Sequence, residues 1–162
     1  MHMSILEKVD KNINSRRIEG EIPIQSRYTY GLAGERFFRE IMDKARLLGT
    51  YCERCDYIYV PPTIFCERCL SKLEEWVEVG PEGTVLSFTV LLEALDGSPL
   101  DEPEIMALIQ LDGANSMFVH RLGEVRLEDQ LAIGMRVKAV FKPKKQREGS
   151  VLDISHFAPV ED

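Results

Sequence analysis

Four cysteines within one short stretch, CERCDYIYVPPTIFCERC from Cys52 to Cys69, constrain this chain more than any other feature. Cys52, Cys55, Cys66 and Cys69 form two C-x-x-C pairs separated by ten residues, enough for the backbone to run out and return with Pro61 and Pro62 near the tip. Each pair presents two sulfurs at the end of a tight turn, so four thiolates can meet one ion. Zn²⁺ takes such a tetrahedral set at about 2.3 Å per bond, and four protein ligands leave no position for water or substrate. The spacing predicts one structural zinc per chain. Two disulfides, or a thioredoxin-like redox centre, are the alternatives, and the doubled spacing argues against both. Glycine is common just after the second cysteine of such a turn, but Asp56 and Leu70 stand there. Asp tolerates positive φ better than Leu, so the second turn is expected to differ from the first.

The same cysteines bear on location. Gathered thiols suit a reducing compartment better than a disulfide framework does. No stretch reaches the roughly 18 apolar residues of a membrane helix, and the N-terminus lacks the basic-then-apolar order of a secretory signal. A cytoplasmic protein with no membrane partner is expected.

Before the cysteines the periodicity is helical. Ser4 and Glu7 have the spacing of a capping box, and Ile5, Val9 and Ile13 recur every four residues. Gly34 to Leu48 places Phe37, Phe38, Ile41, Met42, Ala45 and Leu48 on one face, with Glu35/Arg39 and Glu40/Lys44 pairs opposite and Gly49 as a left-handed stop. These stripes serve either as core or as a surface that docks a partner protein. In the second case Ile5, Val9, Ile13, Phe37 and Phe38 are the docking residues.

After the cysteines the pattern is that of strands. EEWVEV, TVLSFTVLLEA, IMALIQLD, SMFVHRL, MRVKAVFK and VLDISHFAPV are β-branched or aromatic runs separated by Gly, Pro and Asp turns. Such a series predicts a small closed barrel, and five strands with a helical plug from VRLEDQLAIG would make an oligonucleotide/oligosaccharide-binding (OB) barrel. The expected architecture is mainly β with an N-terminal α portion: helical segment 1–49, zinc ribbon 50–73, barrel 74–162.

Charge narrows the ligands. Residues 81 to 162 carry eight Lys and Arg against fourteen Asp and Glu, whereas binding a polyanion calls for clustered cations, so nucleic acid is not expected as a partner. One local exception is the run Arg136, Lys138, Lys142, Lys144, Lys145 and Arg147, which contains no acid. It is either a solvated strand edge or a phosphate site, and Arg121 joins it only if the barrel brings them together. No catalytic residue is assigned: His120 and His156 sit in strand contexts, no nucleophile has a readable base beside it, and there is neither a Walker loop nor a Gly-x-Gly-x-x-Gly turn.

The succession RYTYGLAGERFFRE, the two CERC knuckles around YVPP, GPEGTVLSFTV and LAIGMRVKAVF resembles the archaeal and bacterial acyl-CoA-associated proteins that join a rubredoxin-like zinc ribbon to an OB fold. The resemblance runs from about Tyr28 to the C-terminus. It implies association with thiolases and, in archaea, a bridge between acetoacetyl-CoA thiolase and hydroxymethylglutaryl-CoA synthase in the mevalonate route of lipid metabolism. A non-catalytic, acyl-CoA-binding accessory subunit is then expected, with Arg121, Lys142, Lys144 and Lys145 as the cations facing coenzyme A phosphates. Two rivals remain: a nucleic-acid-binding OB module with a zinc ribbon, and a pure scaffold that never touches acyl-CoA.

Overall fold

The computed structural model describes residues 28–94, 97–125 and 131–160. The expected first helix, with Ile5, Val9 and Ile13, lies outside them.

Helix α1 (Gly31–Lys44) turns Ala33, Phe37 and Ile41 inward at the four-residue spacing of an amphipathic helix. It stops at Lys44, four residues short of the sequence expectation. Ala45 takes the left-handed conformation (φ 54°) and its N–H bonds Ile41 O at 3.0 Å. Leu48 and Gly49 lie instead in strand β1 (Leu47–Cys52). Gly49 is there for closeness, not for a left-handed stop: a Cβ would sit 2.8 Å from the Tyr59 carbonyl oxygen of the neighbouring strand.

β1 is the central strand of a three-stranded antiparallel sheet, between β2 (Tyr57–Tyr59) and β3 (Glu75–Val79). The EEWVEV run, expected to open the barrel, is therefore the third strand of the ribbon sheet, registered from Leu47↔Val79 to Tyr51↔Glu75. The Arg36 guanidinium stacks 4.3 Å from the Trp76 ring centroid and ties α1 to β3.

Five strands close the barrel: β4 (Glu82–Glu93), β5 (Pro99–Leu111), β6 (Phe118–Leu122), β7 (Arg136–Phe141) and β8 (Ile154–Pro159), in the order β4-β5-β6-β8-β7. Strand alternation sends Ile105, Ala107, Ile109 and Leu111 of β5 inward, where they meet Val85, Val137, Ile154 and Phe157. This is the OB barrel the strand runs predicted. Of the proposed plug, 126–130 lie outside the described residues, and 131–134 carry no helix.

Phe37 belongs to this core. It is 1% exposed and meets Phe118 of β6 edge-on at 6.4 Å, so it is not a docking residue. Phe38 is half-buried against Phe37 and Tyr30, with centroids 5.5 and 5.2 Å away. A helix with a continuous apolar face gains more by closing a barrel than by waiting for a partner.

Ribbon and barrel are bonded to each other along β2. Asn115 N donates to Ile58 O at 3.0 Å, and Ile58 N donates to Asn115 Oδ1 at 2.8 Å. Val60 N donates to Ser116 Oγ at 2.6 Å, and that hydroxyl donates back to Val60 O at 2.9 Å.

Candidate metal centre and barrel surface

The four cysteine sulfurs lie within 4.8 Å of one another. Cys52 Sγ is 3.6 Å from Cys69 Sγ, and Cys66 Sγ is 3.8 Å from Cys55 Sγ. A tetrahedron of sulfurs around zinc at about 2.3 Å has edges of about 3.8 Å, so the donor set fits one Zn²⁺ with no position left over. Both knuckle turns use the same device: Asp56 (φ 48°) and Leu70 (φ 59°) are each left-handed, and Leu70 N bonds Cys66 O at 2.9 Å. The expected difference between the turns is absent, because the returning chain demands the left-handed step whatever residue supplies it.

Neighbouring donors prepare the sulfurs for a cation. Tyr59 Oη lies 3.3 Å from Cys66 Sγ, and Ser71 Oγ lies 3.0 Å from Cys69 Sγ and 3.5 Å from Cys52 Sγ. Burial opposes ionisation of Cys66, yet the Tyr59 hydroxyl and the N–H groups of Cys69 and Arg68 bring its thiol down to about 6. Cys55 is pushed up to about 12, first by its hydrogen bond to Cys69 and then by burial. Four thiolates this close need a dication among them, and zinc supplies it.

The cationic run is two different things. Arg136 forms a bidentate pair with Asp112 at 2.8 and 2.5 Å, and Lys138 reaches Glu82 at 3.3 Å, so the first half is matched by acids. The second half is a built turn. Buried Asp153 accepts from the N–H groups of Glu148, Gly149 and Ser150 at 2.9, 2.8 and 3.3 Å. Arg147 Nε donates to Lys142 O at 2.6 Å, and its Nη1 donates to Met42 O near the C-terminus of α1 at 3.4 Å. Lys144 and Lys145 project from this turn into solvent, and Lys142 is half-buried at its start. Arg121 does not join them. Its Nε donates to Ser155 O at 2.6 Å, and it lines a recess with Glu104 and His156, whereas Lys142 follows β7, on the other edge of β8.

One arrangement escaped the sequence reading. Ser155 Oγ lies 3.1 Å from His156 Nδ1, and His156 Nε2 lies 3.1 Å from Glu124 Oε1. The signal was present, since Ser155 and His156 are adjacent, but Glu124 comes from a distant turn. His120 is buried between Phe118 and Phe157, with its ring nitrogens 3.3 and 3.4 Å from the carbonyls of Arg121 and Val151. Burial holds its imidazole below the ordinary histidine range.

Residues 43–74 match the ChsH2 rubredoxin-like zinc ribbon domain, and residues 76–142 match the ChsH2 C-terminal OB-fold domain. The chain thus joins a zinc ribbon to an OB fold, each similar to the corresponding domain of ChsH2. A DUF35 domain-containing scaffold protein of Methanocaldococcus jannaschii is 28% identical over 130 residues, covering 78% of this chain and 91% of that one. The scaffold protein of the same description from Pyrococcus furiosus is 26% identical over 127 residues, covering 77% and 91%. A DUF35-family crystal structure from Sulfolobus solfataricus is similar with a TM-score of 0.56 at 29% identity, over 68% of this chain and 78% of that one. A chain of the Ltp2-ChsH2(DUF35) aldolase shares the fold with a TM-score of 0.55 at 24% identity, over 77% and 93%. The ribbon thus carries one structural zinc, and the two archaeal relatives similar to this chain are described as scaffold proteins. No helix among the described residues is long and apolar enough to cross a membrane.

Proposed function

We propose that this chain is a cytoplasmic, non-catalytic accessory subunit that docks a thiolase and holds acyl-CoA at the junction with a following enzyme. In the archaeal arrangement the two enzymes are acetoacetyl-CoA thiolase and hydroxymethylglutaryl-CoA synthase. The carrying observation is the match to scaffold proteins over 91% of their length. The bonding of ribbon to barrel through Asn115 and Ser116 supports it, because a spacer must be rigid to set a distance. Thiolysis favours breakdown of acetoacetyl-CoA, so a bridge that passes the thioester onward removes it before the back reaction. On this reading the Lys142–Arg147 turn meets the coenzyme A phosphates.

The Ser155–His156–Glu124 row favours a second reading, thioester hydrolysis. Against it, Ser155 does not line the adjacent recess, and the cation that does, Arg121, is engaged by Ser155 O and faces the opposing charge of Glu104. The outer barrel surface argues against nucleic acid too, since stacking platforms and clustered cations are what that ligand requires.

Co-expression with the thiolase of the same organism, followed by size-exclusion chromatography with light scattering, tests the proposal. Co-elution at micromolar concentration is expected. Separate elution with and without acetoacetyl-CoA defeats it, and hydrolysis of acetoacetyl-CoA that Ser155→Ala abolishes would establish the second reading instead.

A further inference from the structure

The outward face of β4, β5 and β6 carries an apolar patch, Leu91, Met106, Leu108 and Val119, where a solvated barrel face is ordinarily polar. Register places Ser87, Leu108 and Val119 in one cross-strand row, Thr89, Met106 and Arg121 in the next, and Leu91 with Glu104 in a third. Val119 is 60% exposed and Met117, beside it, 51%. A shallow recess of 250 Å³ opens between Thr89, Met106, Leu108 and Val119. β4 and β5 then run on beyond their neighbours: pairing with β6 ends at Ile105↔Leu122, while β4 and β5 stay paired to Glu93↔Pro99. A two-stranded ribbon with Leu92, Glu93, Glu102 and Glu104 exposed gains little by itself in water.

Charge decides what covers this face. Of the acids between Lys72 and Arg121, Glu93, Asp101, Glu102 and Glu104 lie exposed on the β4–β5 ribbon, in a stretch of sequence with no Lys or Arg. Arg121 is the cation at the margin, with its guanidinium already engaged by Ser155 O. A second copy packed through this same face would oppose acid to acid, and nucleic acid or coenzyme A would bring phosphates to the same acids. We infer that the outward face of β4, β5 and β6, with the β4–β5 ribbon, docks the partner enzyme through a surface that is apolar at its centre and rich in Lys or Arg at its rim. This deepens the proposed scaffold function and rests on it. It separates the two duties of the barrel: enzyme on the acidic face, phosphates at the Lys142–Arg147 turn.

The test measures binding of the same organism's thiolase to the full chain by biolayer interferometry at low and physiological salt. Val119→Arg should weaken binding by about tenfold or more, because it puts a charge at the apolar centre. Glu102→Lys with Glu104→Lys should slow association about tenfold at low salt and flatten its salt dependence. Both acids are exposed, so this pair decides the question if Val119→Arg alters the fold, as judged by zinc content and Tm. Wild-type binding by the charge-reversed pair would overturn the assignment of the face and leave the thiolase reading standing. Absence of binding by the wild-type chain at micromolar concentration would overturn both.

Discussion

The backbone N–H of Ile58, in the ribbon, donates to Oδ1 of Asn115, in the barrel, at 2.8 Å, and two positions along Val60 makes the parallel contact to Ser116. The two contacts differ in surroundings: Val60 is 1% exposed, whereas Asn115 faces solvent. Water can replace the Asn115 oxygen but cannot easily reach the Val60 amide. Asn115→Ala should therefore destabilise by about 0.5–1.5 kcal/mol and Ser116→Ala by about 1–3 kcal/mol. Urea unfolding followed by Trp76 fluorescence for the ribbon, and by far-UV circular dichroism for the barrel, reads this. The double variant should separate the two transitions, and coincident curves would deny that these contacts couple the domains.

Leu70 adopts φ 59° while 77% exposed, so it holds a left-handed conformation without packing in return. The conformation costs a non-glycine residue about 1–2 kcal/mol, and glycine gives back about 0.5–1 kcal/mol through unfolded-chain entropy. Leu70→Gly should thus stabilise the ribbon by about 0.5–1 kcal/mol. A lower denaturation midpoint for this variant would show that the Leu70 side chain makes a contact of its own.

How much of this was legible in the sequence follows from the range of each signal. The metal centre was, because C-x-x-C spacing is local and its geometry follows from the turns. The five barrel strands were also legible, since β-branched runs between Gly and Pro are local too. What failed depended on pairing at a distance. Glu75–Val79 reads as a strand from its residues, but its partner is β1, not the barrel. Leu48 and Gly49 extend the helical period of α1, yet the close approach of Tyr59 claims them for the sheet. Arg121 and Lys144 look alike in the sequence, and only strand order shows that β8 divides them.

The zinc supports the ribbon energetically as well as geometrically. The buried cluster around the metal is small, Cys52, Tyr59, Cys66 and Leu73, so removing the ion leaves little apolar area to hold the knuckle end of the ribbon, whereas Leu47, Val60 and Val79 stay packed in the barrel core. Cys52→Ser, or chelation of the wild-type chain, should release one zinc per chain and lose on the order of 10 kcal/mol of metal-linked stability. Metal analysis beside circular dichroism tests it. A chelated chain that keeps its Trp76 fluorescence and its melting profile would contradict the structural role.

Acid should destabilise the barrel through His120. Burial first, and the charge of Arg121 and proximity of His156 after it, hold the folded imidazole below its ordinary value, while the carbonyls of Arg121 and Val151 oppose them. Both states are neutral above about pH 6.5, so the full stability is present there. As pH falls from that value toward the folded one, the unfolded chain takes the proton first and stability is lost, at most by about 1.4 kcal/mol per pH unit. His120→Gln should flatten this slope while zinc stays bound. An unchanged slope between pH 7.5 and 5.5 would assign the acid sensitivity to other groups.

The Lys142–Arg147 turn is what separates an acyl-CoA carrier from a bare scaffold. Asp153 fixes the turn from beneath, so exposed Lys144 and half-buried Lys142 are presented by a rigid backbone whether or not phosphate is present. A fixed turn loses little entropy when it engages an anion. Replacing Lys142 and Lys144 together by alanine should weaken acetoacetyl-CoA binding to the thiolase complex by about 1–3 kcal/mol, with Lys145→Ala adding to the effect. Zinc content should not change. Arg121→Ala should leave the affinity as it was, because Arg121 lies across β8 and donates to Ser155 O. Isothermal titration of each variant, co-purified with the enzyme, makes the comparison. Equal affinity in wild type and the lysine variant would reduce this chain to a scaffold without acyl-CoA contact, and a loss confined to Arg121→Ala would move the phosphate site to the recess beside His156.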